Sequence, residues 1–93
     1  MIVSFKSKEA ELIWKGTRSK RIPPHLQDII RRKLRMINSS VSVNDLKIPP
    51  SNHLESLKGD RCGQYSIRIN DQWRICFEWD GVNARNIDIV DYH

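Results

Sequence analysis

The spacing of hydrophobic residues divides the chain into a helical first half and a second half of strands. A short apolar run over residues 2–5 predicts a first strand. Ser7 then stands at the N-cap of a helix that Gly16 ends, because serine caps a first turn and glycine tolerates the conformation that follows a last turn. Pro24 opens a second helix, predicted over residues 24–37, since proline is tolerated in a first turn. Its apolar stripe consists of Leu26, Ile29, Ile30, Leu34 and Ile37.

After the second helix the pattern changes to the alternation that is typical of β-strands. Residues 41–52 predict a loop with one short turn near residues 44–46. The predicted strands cover residues 53–57, 65–70, 73–79 and approximately 86–91, with Asp80-Gly81 as a hairpin signal. The order of one strand, two helices and four strands predicts a single α+β domain over residues 1–93. In such a domain the helices lie on one side of a mostly antiparallel sheet.

Two neighbouring predicted strands carry their large apolar residues only at odd positions. These residues are Tyr65, Ile67, Ile69, Trp73, Ile75, Phe77 and Trp79. If all of them face the helices, odd positions must pair with odd positions, which requires a loop with an odd number of residues. A three-residue loop over 70–72 meets this condition, with Asn70 or Asp71 in the left-handed conformation. The predicted pairs are Ile69 with Trp73, Arg68 with Arg74 and Ile67 with Ile75. A one-residue bulge between these strands would break the register.

This register places Arg68 directly opposite Arg74 on the face of the sheet that points away from the helices. Like charges in that position destabilise a sheet by up to about 1 kcal/mol, so folding alone gives no reason for the pair. A phosphate group between the two guanidinium groups would turn repulsion into attraction. The alternative is two solvated arginines on an exposed face. In either case we expect the loss of Arg74 to change stability by no more than about 0.5 kcal/mol.

The distribution of charge adds a basic N-terminal third. The net charge is +5, with ten Lys/Arg against three acidic residues in 1–35 and six against eight in 36–93. A basic balance favours a polyanionic partner, usually nucleic acid, although many small domains are basic for solubility alone. We expect the exposed basic residues of this third to dock to ribosomal RNA through its phosphates. They are Lys15, Arg18, Lys20, Arg21, Arg31, Arg32 and Arg35.

Composition also argues against several classes of protein. No apolar run reaches the roughly 18–20 residues that cross a bilayer, so no membrane association is expected. The first residues lack a signal-peptide core, which favours a cytoplasmic location. Cys62 and Cys76 are too few for a disulfide framework or a zinc site, so we expect two reduced thiols.

A few polar positions could carry chemistry. The C-terminal Asp91, Tyr92 and His93 place a carboxylate and a phenol beside the side chain best suited to proton transfer near neutral pH. A terminal histidine is nevertheless more often an inert, frayed residue. Lys58 and Arg61 offer further cations on a glycine-containing turn. No P-loop, zinc-protease motif or nucleophile elbow is present, so a mechanism would rely on acid–base chemistry with cationic stabilisation.

Three segments, in order, resemble the HigB-type toxins of the RelE superfamily. They are residues 57–61 (LKGDR), 65–75 (YSIRINDQWRI) and 91–93 (DYH), and the opening residues 1–6 also fit. The likeness covers essentially the whole chain. It implies a microbial RNase (RelE-like) fold with two N-terminal helices packed on a curved sheet. It also implies a type II toxin that cuts mRNA on the ribosome, stops translation and growth, and is neutralised by a helix-turn-helix antitoxin of the HigA type. The toxin–antitoxin complex is expected to bind operator DNA through the antitoxin.

The resemblance also implies roles for individual residues. No metal or other cofactor is needed, because the ribose 2′-OH attacks the adjacent phosphate and leaves a 2′,3′-cyclic phosphate. Arg68 and Arg74 would hold that phosphate, and Asp91, Tyr92 and His93 would orient the substrate and move protons. The residues expected to contact RNA beside them are Lys58, Arg61 and Asn70. In some relatives the first arginine stands at the position of Asn70, so its role here shifts by roughly 6–7 Å along the strand.

Two other functions stay open at this point. A ParE-type toxin is similar in fold and would bind a protein target without an RNase site, although Arg74 and the C-terminal tripeptide argue against it. A simple nucleic-acid-binding module would expose tyrosine or tryptophan to stack on bases. The predicted register instead buries Tyr65, Trp73 and Trp79.

Overall fold

Two helices and a four-stranded antiparallel sheet form the described part of the chain. The computed structural model describes residues 1–61 and 63–91, and Arg61 is described only in its backbone. The helices are α1 (Lys8–Trp14) and α2 (Pro24–Ser39), and the strands are β1 (Glu55–Ser56), β2 (Gln64–Arg68), β3 (Trp73–Trp79) and β4 (Ala84–Asp91). Short 3₁₀ helices cover Val43–Lys47, Pro50–Asn52 and Gly59–Arg61. The strands lie in the order β1-β2-β3-β4, which confirms the predicted α+β class.

Helix α1 begins and ends as its sequence predicts. The Ser7 hydroxyl accepts a hydrogen bond from the backbone N–H of Ala10 at 3.2 Å, and Glu9 and Glu11 lie in the first turn. At the other end Gly16 has φ +86, and the N–H of Thr17 donates to the carbonyl of Leu12 at 2.8 Å. Glycine takes this left-handed conformation at little cost, so the helix stops there.

Helix α2 buries its apolar stripe against the odd-numbered face of the sheet. Leu26, Ile30, Leu34 and Ile37 are buried and Ile29 is half-buried. From the sheet, Ile67, Ile75 and Phe77 are almost completely buried in the same core. Each such side chain contributes about 1.5–3 kcal/mol when it leaves water. This packing fixes which face of the sheet is left for polar side chains.

Gln27 is a buried polar residue that holds the linker between the helices. Its Oε1 accepts from the N–H of Ser19 at 3.2 Å, and its Nε2 donates to the carbonyls of Ser19 and Ile22 at 2.8 and 2.9 Å. Both ends of the side-chain amide thus form hydrogen bonds to backbone groups that have no partner within a helix or the sheet. The basic linker is therefore ordered by one amide group.

The register predicted for β2 and β3 is confirmed. Arg68 pairs with Arg74, Ile67 pairs with Ile75, and the N–H of Ile69 donates to the carbonyl of Trp73 at 2.9 Å. A bulge does exist, but it lies between β3 and β4, next to Asn86 with φ +52. Tyr65, Trp73 and Trp79 are half-buried against the core, and none is exposed.

The loop that joins β2 to β3 corrects two predictions. Strand β2 ends at Arg68 instead of residue 70, and neither Asn70 nor Asp71 has a positive φ. The Asn70 side chain closes the turn instead, because its Oδ1 accepts from the N–H groups of Gln72 and Trp73 at 2.9 and 2.8 Å. A side-chain acceptor of this kind replaces the need for a left-handed residue.

Three strand boundaries also differ from prediction. Residues 2–5 form only two isolated parallel bridges, Ile2 to Ala84 and Phe5 to Ile87, in place of a strand. Strand β1 has two residues instead of five, and β4 begins two residues earlier than residue 86. The bulge explains the last difference, because an extra residue breaks the alternation that marks a strand in the sequence. In the 41–52 loop, the turn predicted near residues 44–46 is the 3₁₀ helix Val43–Lys47.

Asp80 shapes the hairpin between β3 and β4. Its Oδ1 accepts from the N–H groups of Val82 and Asn83 at 2.9 and 2.7 Å, and its Oδ2 accepts from Arg85 Nε at 3.1 Å. The two backbone hydrogen bonds, with help from Arg85, lower the pKa of Asp80 below its ordinary value of 3.8. The ionised form therefore stabilises the turn.

Replacing Gln27 by leucine should destabilise the fold strongly. Three buried backbone groups would lose their partner, and each such loss costs about 1–3 kcal/mol. We expect a decrease of about 3 kcal/mol in the free energy of unfolding, measured by urea denaturation. Gln72→Leu is the control, because Gln72 is exposed and the change should stay within about 0.5 kcal/mol. Equal losses in both variants would contradict the structural role of Gln27.

The turn at Asp80 should give a measurable dependence of stability on acid pH. Because its folded pKa is depressed, Asp80 contributes stability above 3.8, and that stability is lost as pH falls through the folded pKa. The Asp80→Asn variant keeps an acceptor oxygen at this position but carries no charge. The melting temperature of the wild type should therefore fall more steeply below about pH 4 than that of Asp80→Asn. Parallel curves would show that the Asp80 charge does not stabilise the turn.

Candidate functional site

Arg74 is buried and anchored on the face of the sheet opposite the helices. Only 7% of the residue is exposed. Its Nε donates to Ser66 Oγ at 2.9 Å, and its Nη2 donates to the carbonyl of His53 at 2.6 Å and to that of Ser66 at 3.3 Å. Nη1 lies 3.8 Å from the carboxylate of Glu55. The alternative of a solvated Arg74 is therefore wrong, and we now expect its removal to cost more stability than the sequence predicts.

The strand order explains how Arg74 becomes buried. Ser66 on β2 lies between β3 and β1 and pairs with Glu55, so the Arg74 side chain runs diagonally over Ser66 toward β1. His53 has φ +44 and ends the 3₁₀ helix Pro50–Asn52, and its carbonyl accepts one of the guanidinium protons. Arg74 thus contacts both neighbouring segments on one side of its strand. Ser66, which is fully buried, owes part of its cover to this side chain.

Arg68 lies directly opposite Arg74 in the register but is more accessible. Its side chain retains 34% exposure and forms an ion pair with the exposed carboxylate of Asp71 in the adjoining turn. Each arginine of the pair therefore has a carboxylate nearby, Asp71 for Arg68 and Glu55 for Arg74. The fold tolerates the like-charge pair for this reason, which the alternation pattern alone does not show.

Sequence reasoning missed Lys33 as a neighbour of this site. Its Nζ donates to Asn52 Oδ1 at 2.5 Å, and Asn52 is itself fully buried. Burial, followed by the charges of Arg32 and Arg68, lowers the pKa of Lys33 from its ordinary 10.5. A lysine in a run of three basic residues is usually a solvated surface residue, so the sequence carries no signal for this arrangement.

Of the remaining predicted catalytic residues, Asp91 lies within the described part of the chain and does not join the arginine pair. Asp91 pairs with Trp73 and so shares the helix-side face, opposite Arg74. It accepts from Gln72 Nε2 at 3.1 Å and lines a separate cleft of about 480 Å³ with Arg21. Lys58 is exposed in the turn after β1. Tyr92 and His93 lie outside the described residues, as do Cys62 and the side chain of Arg61.

The predicted docking residues fall into two groups. The exposed group consists of Lys15, Arg18, Lys20, Arg21, Arg32 and Arg35. Two of them form ion pairs, Lys15 with Glu11 and Arg21 with Glu9. Arg31 is different, because its Nε donates to the carbonyl of Ile13 at 3.0 Å and its Nη1 contacts Asp28. It ties α1 to α2, so its position suits a structural role better than docking.

A polar depression lies on the same face of the sheet as Arg74, and Cys76, two residues further along β3, is one of its lining residues. It has a volume of about 310 Å³. Its lining residues are Lys6, Gln64, Cys76, Glu78, Asn86 and Asp88. These side chains offer both hydrogen-bond donors and hydrogen-bond acceptors, which suits the polar edge of a nucleobase.

Within residues 1–61 and 63–91, no group of three or more His, Cys, Asp or Glu side chains could hold a metal ion. In the same residues no helix is long and apolar enough to cross a membrane.

Sequence comparison identifies the family. A family model described as the RelE-like toxin of the type II toxin–antitoxin system HigB matches residues 3–93. "Toxin HigB-1" of Vibrio cholerae is 38% identical over 84 residues, which are 88% of each chain. "Endoribonuclease HigB" of Proteus vulgaris is 32% identical over 93 residues and the full length of both chains. The chain therefore belongs to the HigB-like family, the RelE-like toxins of type II toxin–antitoxin systems.

Solved structures of other proteins have the same fold. A YafQ mutant from E. coli superposes with a TM-score of 0.66 at 14% identity, covering 98% of this chain and 91% of the other. YoeB in the YoeB–YefM complex from Staphylococcus aureus superposes with a TM-score of 0.58 at 21% identity, covering 100% and 98%. At these identities the likeness shows the fold, which is the predicted RelE-like one.

Truncation of the two paired arginines should have very different effects on stability. Arg74→Ala leaves buried acceptors and one side of an ion pair uncompensated, so we expect a loss of about 3 kcal/mol. Arg68→Ala removes only an exposed ion pair and should cost less than about 1 kcal/mol. Chemical denaturation of both variants at neutral pH measures the difference. Similar stabilities would show that the contacts of Arg74 do not support the fold.

Proposed function

Because the chain is a RelE-like toxin of the HigB type, we propose that it is an endoribonuclease that cuts mRNA on the ribosome and thereby stops translation and growth. The observation that carries the proposal is the directly opposed pair of Arg68 and Arg74, on the face of the sheet that also holds a polar depression. The naming of the Proteus vulgaris relative as an endoribonuclease supports it. A cytoplasmic location follows from this activity, since ribosomes and mRNA are found there.

The proposed reaction is an internal phosphoryl transfer that needs no metal. The 2′ oxygen of the ribose forms a bond to the adjacent phosphorus, and the bond from phosphorus to the 5′ oxygen of the next nucleotide breaks. A base removes the proton from the 2′-OH, and an acid supplies one to the departing 5′ oxygen. The products are a 2′,3′-cyclic phosphate and a 5′-OH. By resemblance, Tyr92 orients the substrate and His93 is one of the two proton-transfer groups, whereas Asp91 lies on the opposite face of the sheet from Arg74 and is given no direct role.

The two arginines differ in what they contribute. Negative charge grows on the phosphate in the transition state, and fixed cations stabilise it without having to reorganise. Arg74 is such a fixed cation, because Ser66 and the His53 carbonyl hold its Nε and Nη2. Arg68 is the more exposed of the two and is the one that exchanges Asp71 for a phosphate oxygen. Lys58, in the turn after β1, adds to the positive potential.

The proposed partners are an antitoxin and the ribosome. YoeB, a protein with the same fold, is known in complex with YefM, which supports a protein antitoxin for this toxin. We propose a helix-turn-helix antitoxin of the HigA type, which also carries the complex to operator DNA. The exposed basic residues of the N-terminal third, among them Arg18, Lys20 and Arg35, dock to ribosomal RNA. A ParE-like protein-binding function is less well supported, because the relatives named above are HigB toxins and one is an endoribonuclease.

Cleavage mapping on ribosomes tests the proposal. Purified protein is added to ribosomes that carry a defined mRNA, and the new ends are located by primer extension. We expect cuts that depend on the ribosome, carry 2′,3′-cyclic phosphate ends and disappear when a single 2′-deoxynucleotide replaces the residue before the cut. Arg68→Ala should reduce the single-turnover rate by roughly 10²-fold or more, because it removes charge stabilisation from the transition state.

A matched control separates catalysis from folding. Arg85→Ala removes an exposed arginine of the β3–β4 hairpin, which pairs only with Asp80 among the described residues, and should leave the rate unchanged. His93→Ala should reduce the rate by about 10²–10⁴-fold if His93 transfers a proton. Intact mRNA with every variant and with wild type would overturn the RNase proposal in favour of a protein target.

A further inference from the structure

A second group of cations lies beside the arginine pair, at the edge where α2 meets the loop before β1. This edge holds a groove of about 310 Å³. Its lining residues are Ile29, Arg32, Lys33, Met36, Pro49 and Ile69. Ile69, which follows Arg68 in the chain, lines the groove, and the charge of Arg68 contributes to the lowered pKa of Lys33. Strand β1 pairs only with Tyr65 and Ser66, so the end of β2 that carries Arg68 is not covered by it.

Two of the three cations at this groove, Arg32 and Lys33, have no carboxylate partner among the described residues. Asp71, which pairs with Arg68, is 98% exposed and so holds it weakly. Three positive charges that converge without a buried carboxylate repel one another. Folding gains nothing from this convergence, whereas an anionic ligand would.

Lys33 is also held in place, which a solvated lysine is not. Its Nζ donates to Oδ1 of Asn52, and the Asn52 amide nitrogen donates to the carbonyl of Leu46 at 3.1 Å and contacts that of Ile48 at 3.4 Å. A fully buried asparagine with both ends in use is a rigid support. The lysine therefore points in a fixed direction, and little side-chain entropy remains to be lost on binding an anion.

We propose that Arg32, Lys33 and Arg68 form a second phosphate-binding subsite, which holds the RNA backbone next to the scissile phosphate. The inference rests on the proposed RNase function and extends it: the substrate strand passes from the sheet face at Arg74, over Arg68, to the edge of α2. The apolar floor of the groove, formed by Ile29, Met36 and Ile69, then contacts a ribose or the face of a base. Arg32 accordingly binds the substrate strand rather than ribosomal RNA.

Continuity of charge favours RNA over a protein ligand. Arg68 is common to both groups, since it pairs with Arg74 in the sheet and acts on Lys33 at the groove. Successive phosphates of one RNA strand can contact Arg74, Arg68 and Lys33 in turn. Phosphate contacts of this kind fix the position of a strand without reading its sequence. The competing occupant is an acidic segment of a protein partner, which would use the same cations.

The test measures the salt dependence of RNA binding. The probe is a single-stranded RNA oligonucleotide with 2′-deoxynucleotides throughout its centre, so that it binds without being cut. Each phosphate contact contributes about 0.7 to the slope of log K against log salt for single strands. We expect Arg32→Gln and Lys33→Gln each to reduce the slope by about that amount. The affinity at low salt should fall about 3–5-fold in each variant, as for an accessible ion pair.

The variants are chosen so that folding does not confuse the result. The Lys33→Gln variant keeps an N–H donor for Asn52, and Arg32 is exposed, so both proteins should melt within a few degrees of wild type. Lys8→Gln is the control, because Lys8 is an exposed lysine of α1 with no ion pair among the described residues. Its slope should equal that of wild type.

Each other result has a definite meaning. Slopes in Arg32→Gln and Lys33→Gln that equal the wild-type slope, in a protein that still cuts mRNA, overturn the subsite and leave the RNase function standing. Unchanged RNA binding together with weaker binding of the antitoxin assigns the groove to the protein partner and also overturns it. A wild-type protein that neither binds the oligonucleotide nor cuts mRNA overturns the RNase function and the subsite together.

Discussion

The buried guanidinium group of Arg74 is the interaction on which the open face of this sheet depends. It joins β3 to the Ser66 side chain of β2 and to the His53 carbonyl just before β1. Strand β1 has only two residues, so this contact does much to hold the edge of the sheet in place. A buried charge with several hydrogen bonds is costly to break, because its removal leaves acceptors without partners. The same contacts fix a positive charge on the face where the arginine pair lies, so the site is organised before any ligand binds.

The periodicity of the sequence was sufficient to predict the core and the central register, but not what covers the other face. Apolar residues at odd positions on both β2 and β3 require odd positions to pair with odd positions, and the structure has the pairing predicted for a three-residue loop. Alternation says which face a residue occupies, yet it cannot show that Arg74 folds back over Ser66 toward a third strand. The sequence does not reveal the bulge beside Asn86 either. Its extra residue puts two buried residues, Ala84 and Ile87, three positions apart, whereas a regular strand would space them by two or four. Lys33 was missed because its position depends on Asn52, which lies 19 residues further along the chain.

Short-range chemistry was predicted better where one residue determines the outcome. Ser7 and Gly16 bound α1 as expected, because capping depends on local hydrogen bonds and backbone conformation. The β2–β3 turn was predicted in length but not in mechanism, since the Asn70 side chain, rather than a left-handed backbone, closes it. A consequence for the site follows. The amide oxygen of Asn70, a predicted RNA contact, is already used in the turn, whereas Arg68, two residues earlier, carries an accessible charge.

Stability and binding are therefore distributed unequally over the cations of this toxin. Arg74 stabilises the fold and, in the proposed reaction, also the phosphate charge, because the contacts that orient its guanidinium group link β3 to His53 and to Glu55 of β1. A variant at Arg74 that loses function consequently does not separate a catalytic effect from partial unfolding. Arg68 and Lys33 differ in this respect, since one contacts an exposed carboxylate and the other a neutral amide. Their charges can be removed while the core and the register stay as they are. The contribution of these cations to function is thus best measured by removing the charge of Arg68 or of Lys33 while Arg74 stays in place.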